Sequence, residues 1–453
     1  MTKVIKLKRG FDINLKGKAE NTVSEAPVPK TFAVKPTDFR DITRPKVLVE
    51  EGATVKAGTP LLYDKKHSRI MLTAPVSGEV VEVKRGEKRK LLEVVILADS
   101  NIAYEEFPRY SISEVSSLTR EQVEEQMLNS GVWPQLIQRP YGSFADPEEA
   151  PKAIHISGFD THPLAPDYNV LFKGQEQYFQ AGVDVLKKLT SGTIHVNVAA
   201  ENEVNAAFGN AQGVQVNKFS GPHPAGNPGI QIHHLDPINR GDIVWTIRPF
   251  GVIQIGKLFL EGKYDASRII ALAGSEVAKP QYYKTFQGAK LESIISGKIT
   301  GDNVRYISGN VLTGTKIKKD GFLGYYDDLI SVIPEGDHYD FLGWIMPSTK
   351  LSYHRAFGLL SFLNPKKEFV LDTNIKGEER AFVQTGTFES VTPIDIYPTH
   401  LIKAIMAEDY DDMEALGIYE VIEEDLALCE FVDVSKHDIQ AILRQGLDLM
   451  KNS

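Results

Sequence analysis

Ala153-Ile154-His155-Ile156-Ser157, Thr193-Ile194-His195-Val196-Asn197-Val198 and Val214-Gln215-Val216 are short β-type runs, and helix-patterned stretches, Gln175 to Leu189 and Glu201 to Phe208, separate them. This βαβαβ order predicts a parallel, Rossmann-like sheet, because parallel strands can be joined only by a crossover, usually helical. Nucleotide-binding sheets of this kind carry G-x-G-x-x-G after the first strand, where backbone amides and a helix N-terminus receive the diphosphate. Here only Gly158 stands, in Ser157-Gly158-Phe159-Asp160-Thr161-His162-Pro163. Side chains and fixed prolines at that turn keep a diphosphate off the backbone. The expectation is a Rossmann-like domain that does not bind NADH or flavin by the usual route.

Upstream, residues 31–100 are short β-type runs divided by glycine turns, the clearest being Val47-Leu48-Val49, Thr59-Pro60-Leu61-Leu62-Tyr63, Ile70-Met71-Leu72 and Val80-Val81-Glu82-Val83. Glu51-Gly52-Ala53-Thr54-Val55-Lys56-Ala57-Gly58-Thr59-Pro60-Leu61, followed by Ala74-Pro75-Val76-Ser77-Gly78-Glu79-Val80, resembles the biotinyl/lipoyl barrel-sandwich fold, which displays a carrier lysine on a hairpin between those motifs. Lys65 and Lys66 lie in that interval, but His67-Ser68-Arg69 lacks the small symmetric turn of a carrier. A fold reused without its lysine is the favoured reading. Thr119-Arg120-Glu121-Gln122 predicts a capped helix, with Val123 and Met127 one turn apart and Gly131 ending it. A proline-rich connector follows, from Arg139-Pro140-Tyr141-Gly142 to Pro151.

At 453 residues the chain exceeds one ordinary core. Its 42% hydrophobic and 25% charged residues are those of a folding, water-soluble protein. A net charge of -9 sets nucleic acid aside, because a backbone-tracking surface needs a basic excess. Charge recurs throughout Met1-Thr2-Lys3-Val4-Ile5-Lys6-Leu7-Lys8-Arg9, so no secretory signal is expected and the chain stays in the cytoplasm. The most apolar run, Ile243 to Leu260, is interrupted by Arg248, Pro249 and Lys257, short of a spanning helix. Cys429 is the single cysteine, which excludes an internal disulfide and cannot hold an iron–sulfur cluster.

Gly221-Pro222-His223-Pro224-Ala225-Gly226-Asn227-Pro228-Gly229, continuing through Ile230-Gln231-Ile232-His233-His234-Leu235-Asp236-Pro237, packs prolines and glycines around histidines. Such a stretch is expected to follow an irregular path rather than a helix or ladder, without the one-faced spacing a zinc site needs. His155 and His195 read as satisfied core histidines. Asp327-Asp328, Asp411-Asp412 and Glu423-Glu424 read as adjacent surface acids, and no nucleophile elbow is present.

This signature resembles the A subunit of the sodium-translocating NADH:quinone oxidoreductase (Na+-NQR). Trp245-Thr246-Ile247, Ile255-Gly256-Lys257-Leu258-Phe259, Ala271-Leu272-Ala273-Gly274, Asp64-Lys65-Lys66 and Arg85-Gly86-Glu87-Lys88-Arg89 continue the resemblance, which runs from Lys8-Arg9-Gly10-Phe11-Asp12 to Gly446-Leu447-Asp448-Leu449. Proteins of this family look like relatives of the NADH- and flavin-binding subunits of complex I and of the related ferredoxin-linked Rnf complex, without their glycine-rich flavin loops or C-terminal cysteine ligands. The implied fold is multidomain, α/β plus all-β. It comprises a barrel-sandwich hybrid over 1–105, the Rossmann-like unit over 106–255, a soluble-ligand-binding β-grasp (SLBB) domain over 256–330, and a β return with C-terminal helices over 331–453. The β-grasp sheet is expected to pack on a neighbour rather than hold a ligand. Glu423 to Asp433 resembles a degenerate ferredoxin-like helical segment lacking its cluster, with Asp433 where a second cysteine is often found.

By the same resemblance, the chain is a peripheral component on the cytoplasmic side of the bacterial inner membrane. It would assist electron transfer from NADH to ubiquinone or menaquinone, coupled to Na+ export. Its five partner subunits, chiefly the membrane B subunit and the peripheral C subunit, would hold the FAD, FMN, riboflavin, iron–sulfur and quinone groups, and this chain would hold no cofactor, metal or catalytic residue. A quinone site on or beside it would involve the run that includes Phe341, Trp344, Met346, Tyr353 and Arg355, and His223, Gly226, Gly229 and His233 mark the signature loop. Two alternatives stand beside this: a structural docking component with no ligand of its own, and a lipoyl/biotinyl-type carrier module using Lys65 or Lys66.

Overall fold

The computed structural model describes residues 4–25, 29–201, 203–339, 341, 351, 353, 367–375, 378–383 and 386–453. Its central sheet has seven strands in the order Val4–Lys6, Gln215–Ser220, Thr193–Ala199, Ala153–Ser157, Val244–Thr246, Ile137–Arg139, Ser143–Phe144. The first five are parallel and the last two antiparallel. Ala153–Ser157 is buried along its whole length, as a central parallel strand covered on both faces must be. The chain adds strands to one side of it and then crosses to Val244–Thr246 on the other, so the topological switch lies between Ala153–Ser157 and Val244–Thr246.

Helices Glu176–Leu186 and Pro249–Glu261 cover this sheet, and two glycines set their crossing. A Cβ on Gly182 would lie 2.0 Å from the Val252 carbonyl oxygen, and one on Gly256 would lie 1.9 Å from that of Tyr178. Ile255 to Leu260 therefore belongs to a helix of the α/β unit. After this helix the next β-grasp strand starts at Ser267, which corrects the expectation that the unit opens with the Gly256-Lys257 run.

That second sheet runs Thr315–Ile317, Val304–Ser308, Leu329–Pro334, Ser267–Ala273, Gln281–Phe286, Glu20–Glu25. The barrel sandwich forms from four strands (Thr31–Val34, Leu91–Ala98, Gly78–Arg85, Thr54–Val55) facing three (Pro45–Val47, Pro60–Asp64, His67–Thr73). Strand pairing does not follow sequence order. Val4–Lys6 completes the α/β sheet and Glu20–Glu25 completes the β-grasp sheet, so the first 25 residues stitch two units together before the sandwich begins. The C-terminal helices, including Pro398–Met406, Glu423–Val432 and Ile439–Asn452, close on the fully buried Leu401, Ile405, Leu426, Leu443 and Leu447.

The expected caps are present. Thr119 and Gln122 form the reciprocal capping box of helix Arg120–Ser130, and Gly131 ends it in the left-handed conformation. The signature stretch differs from expectation, because Pro228–Leu235 is a helix. Pro228 is its first residue, where a missing N–H costs nothing and a fixed φ favours the helical turn.

Candidate functional site

In an open α/β sheet, ligands bind beyond the carboxyl ends of the strands at the switch point. Here that place is filled from within. Ser157 Oγ donates to the Gly226 carbonyl oxygen at 2.9 Å and accepts from Gln231 Nε2 at 2.9 Å. The Gly226 amide donates to Thr161 Oγ1 at 2.9 Å, and the same hydroxyl meets His223 Nδ1 at 3.1 Å. A Cβ on Gly226 would stand 2.8 Å from the Thr161 nitrogen and 3.0 Å from the Asp160 Cα. The signature loop thus presses its backbone against the turn that would otherwise present amides to a diphosphate. Gly158, the single glycine of this turn, packs against Phe208. These residues do not fit a nucleotide bound at the turn.

The turn also carries its own ion pair. Asp160 Oδ2 and His162 Nε2 are 2.7 Å apart, the His162 backbone N–H donates to Asp160 Oδ1 at 3.0 Å, and His162 Nδ1 meets the Pro163 carbonyl at 3.2 Å. Burial works against the imidazolium, but Asp160 and the carbonyl outweigh it and hold His162 above its ordinary pKa. Burial likewise opposes the Asp160 carboxylate, and His162 overcomes it, keeping the acid below the usual range. His223 has no such partner. Burial dominates there and pulls it down to about 4, leaving a neutral ring whose Nε2 is unpartnered.

The loop's second half anchors the C-terminal helices. A Cβ on Gly229 would meet Asp425 Oδ2 at 2.3 Å and Arg139 Nη1 at 2.5 Å. Arg139, at the end of strand Ile137–Arg139, pairs with Asp425 and with Glu424, each at 2.7 Å, and the Arg139 and Asp425 side chains are 1% and 0% exposed. Asn227 Nδ2 donates to the Glu424 carbonyl at 2.8 Å. Glu423 accepts from Arg40 and Arg444. Glu423 is therefore a buried anchor and Glu424 a partly buried one, not the surface acids expected from their adjacency. Asp328 is partly buried, with burial raising its carboxyl despite Arg248.

His233 Nδ1 bonds Glu420 at 2.5 Å while its Nε2 accepts from the Asp395 amide at 3.1 Å, and His234 Nε2 meets the Pro393 carbonyl at 2.8 Å. Both thus tether the last turn of the Pro228–Leu235 helix to the C-terminal helical unit. His223, Gly226 and Gly229 are buried within the chain, while Gly221 at the start of the loop is exposed. Phe341 is 88% exposed beside the fully exposed Tyr339, and Tyr353 is half-buried, edge-on to Phe11 at 5.2 Å. Trp344, Met346 and Arg355 lie outside the described residues. His155 departs from expectation: it stacks on His195 at 4.5 Å, but neither of its ring nitrogens has a partner. Lys65 and Lys66 are exposed at the turn joining Pro60–Asp64 to His67–Thr73, with the buried Asp64 accepting from the Lys66 amide at 2.8 Å. Sequence reading missed the Asp160–His162 pair and Arg139; the paired charges at Glu424 and Asp425 were the available signal.

Three family models match successive parts of the chain. They are the NqrA N-terminal barrel-sandwich hybrid domain over residues 5–99, the NqrA second alpha/beta domain over 118–264, and the NQRA C-terminal domain over 269–319. The chain is 40% identical over 448 residues, 98% of each protein, to the A subunit of the Na(+)-translocating NADH-quinone reductase of Yersinia pestis bv. Antiqua (strain Angola). It belongs to the NqrA family. The corresponding protein of Serratia proteamaculans (strain 568) is 39% identical over 98% of both chains, and that of Neisseria meningitidis serogroup A is 38% identical over 99% of both. Among solved structures, an NAD+-reducing NiFe-hydrogenase in the H2-reduced state aligns with a TM-score of 0.40 at 11% identity, covering 76% of this chain and 63% of that one. In this member of the NqrA family, the most distinctive loop is the one that fills the strand-end crevice and locks the C-terminal helices onto the sheet. No helix among the described residues is long and apolar enough to cross a membrane, and no group of three or more potential metal ligands occurs among them.

Proposed function

We propose that this chain serves a Na+-translocating NADH:quinone reductase as its peripheral docking component, on the cytoplasmic side of the membrane, carrying no nucleotide of its own in the strand-end crevice. The observation that supports this is the filled crevice: Thr161, His223 and Gly226 bond to one another where a diphosphate would lie. The flavins, the iron–sulfur centre and the quinone-reducing step belong in this reading to the five other subunits, chiefly the membrane B subunit and the peripheral C subunit. The chain's contribution to electron transfer from NADH to ubiquinone or menaquinone, and to Na+ export, is to hold that assembly in register. Purification of the tagged chain from detergent-solubilised membranes tests this, with an NADH:quinone reductase assay in the presence and absence of sodium. Co-purifying partners with sodium-stimulated activity are expected, and a lone inactive chain would refute the proposal.

A second reading, contact with quinone, is supported by the exposed rings of Tyr339 and Phe341, since aromatic residues are enriched at recognition surfaces. Photo-crosslinking with a quinone analogue in the intact complex tests it, a labelled peptide around residue 341 being the expected result. A third, the carrier module, draws on the exposed position of Lys65 and Lys66 at a hairpin turn. Intact mass decides that case, because a lipoyl or biotinyl group would add mass to one lysine.

A further inference from the structure

Between the α/β sheet and the β-grasp sheet lies a cavity of about 470 Å³, within the size range of small-molecule sites. The helix Pro249–Glu261 opens onto it through Arg248 and Phe250, and its N-terminus has no side-chain cap. The opposite wall is the β-grasp pair Ser267–Ala273 and Gln281–Phe286. In that ladder Arg268 and Thr285 are direct cross-strand partners, so their side chains share one face. Both line the cavity, and they are only 7% and 6% exposed.

Their polar atoms are not satisfied. Arg268 Nη1 donates to the Asp327 carbonyl at 2.9 Å, but Nε and Nη2 have no partner, nor does Thr285 Oγ1. Nε–H and Nη2–H form the side-on edge of a guanidinium, two parallel donors that match the two oxygens of a carboxylate or a phosphate. A buried donor left without a partner is costly, more so when it is charged, and an anion brought to that edge would remove the penalty. No carboxylate among the described residues forms an ion pair with Arg268, and burial pulls its guanidinium down to about 10 against the opposing effects of Tyr264 and Asp328.

The rest of the wall suits a flat, apolar body. Phe250 lies over Arg268 with its ring centroid 4.1 Å from Cζ, and Phe172 and Phe286 also line the space. Lys284 and Glu25, partners in the strand register, border the cavity with opposite charges, and Asp328 adds a carboxylate to its lining. The β-grasp sheet thus brings together the polar cluster that the sequence did not reveal, because Arg268 and Thr285 meet only through strand pairing.

We propose that this cavity binds a planar aromatic anion, its carboxylate or phosphate held side-on by Arg268 and by the Thr285 hydroxyl, and its ring held between the phenylalanines. The site is independent of the docking role proposed above.

Isothermal titration calorimetry on the full chain tests it with three probes: 2-naphthoate, 1-naphthyl phosphate, and uncharged 2-naphthamide. Either anion is expected to bind at least about tenfold more tightly than the amide, the tighter of the two naming the headgroup. Thr285→Val keeps the shape and removes only an unpartnered hydroxyl, so the variant folds as the parent does. It is expected to weaken the preferred anion about fivefold, and Arg268→Met about thirtyfold or more. Equal binding of anion and amide, no anion binding at millimolar concentration, or unchanged affinity in a folded Thr285→Val protein would each overturn the proposal.

Discussion

Gly229 and Asp425 approach so closely that no side chain fits between them: a Cβ on Gly229 would stand 2.3 Å from Asp425 Oδ2. The glycine is required by proximity rather than by its backbone angles, since its φ is not positive. Its neighbour Arg139 is pinned by the same carboxylate, so neither charged group can yield without breaking a buried ion pair.

Gly229→Ala is accordingly expected to destabilise the chain by about 1–3 kcal/mol through overpacking. Asp425→Ala, which leaves Arg139 buried and half-compensated, is expected to cost about 3–5 kcal/mol. In the Gly229→Ala/Asp425→Ala double variant the losses should fall short of additive, because the first clash disappears with the carboxylate. Urea unfolding of the four proteins measures this, and additive losses would mean the two residues act separately.

Stability should fall in mild acid on account of His223. Its folded-state pKa of about 4 lies below the ordinary histidine value of 6.5, so the unfolded chain takes up the proton first as pH drops. The contribution is complete above pH 6.5, declines on acidification, and is gone once pH passes below the folded value. The integrated loss is about 3 kcal/mol. His223→Asn, which keeps a group able to bond Thr161, should flatten this part of the profile. His162 works the other way: its raised pKa adds stability below the unfolded value that disappears as pH rises through the folded one. Thermal unfolding of both proteins across pH 4 to 7 checks the sign, and identical slopes would exclude His223 as the source.

Cys429 is buried, with its thiol pushed up to about 12 by burial despite a contact to Thr392 at 3.3 Å. Native protein at pH 8 should react with iodoacetamide at least about a hundredfold more slowly than protein unfolded in urea, because the thiolate is the reactive form. Equal rates would place the residue at the surface.

Much of the architecture was legible because its signals were local. The βαβαβ run, the glycine turns of the sandwich and the Thr119–Gln122 capping box each lie within a short window of sequence; the parallel strands and the capping box form as read, while the second crossover helix, expected over Glu201 to Phe208, is the single turn Ala206–Gly209. The helix Pro228–Leu235 was not legible, since the proline that begins a helix is the same residue that interrupts one. Glu423 and Glu424 were misread for another reason. The cations that make them anchors, Arg40 and Arg139, lie 383 and 285 residues away in the chain. The cavity walls likewise come from residues brought together only by sheet pairing.

In the proposed role this chain works within a sodium-dependent reductase while holding no nucleotide in its own strand-end crevice. The most direct measurement purifies the tagged chain from solubilised membranes, assays NADH:quinone reductase with and without sodium, and then separates the components to assign the bound flavin. Co-purifying partners, sodium-stimulated activity and no flavin on this chain are expected. A chain that purifies alone, or one that retains stoichiometric flavin once its partners are removed, would contradict that role.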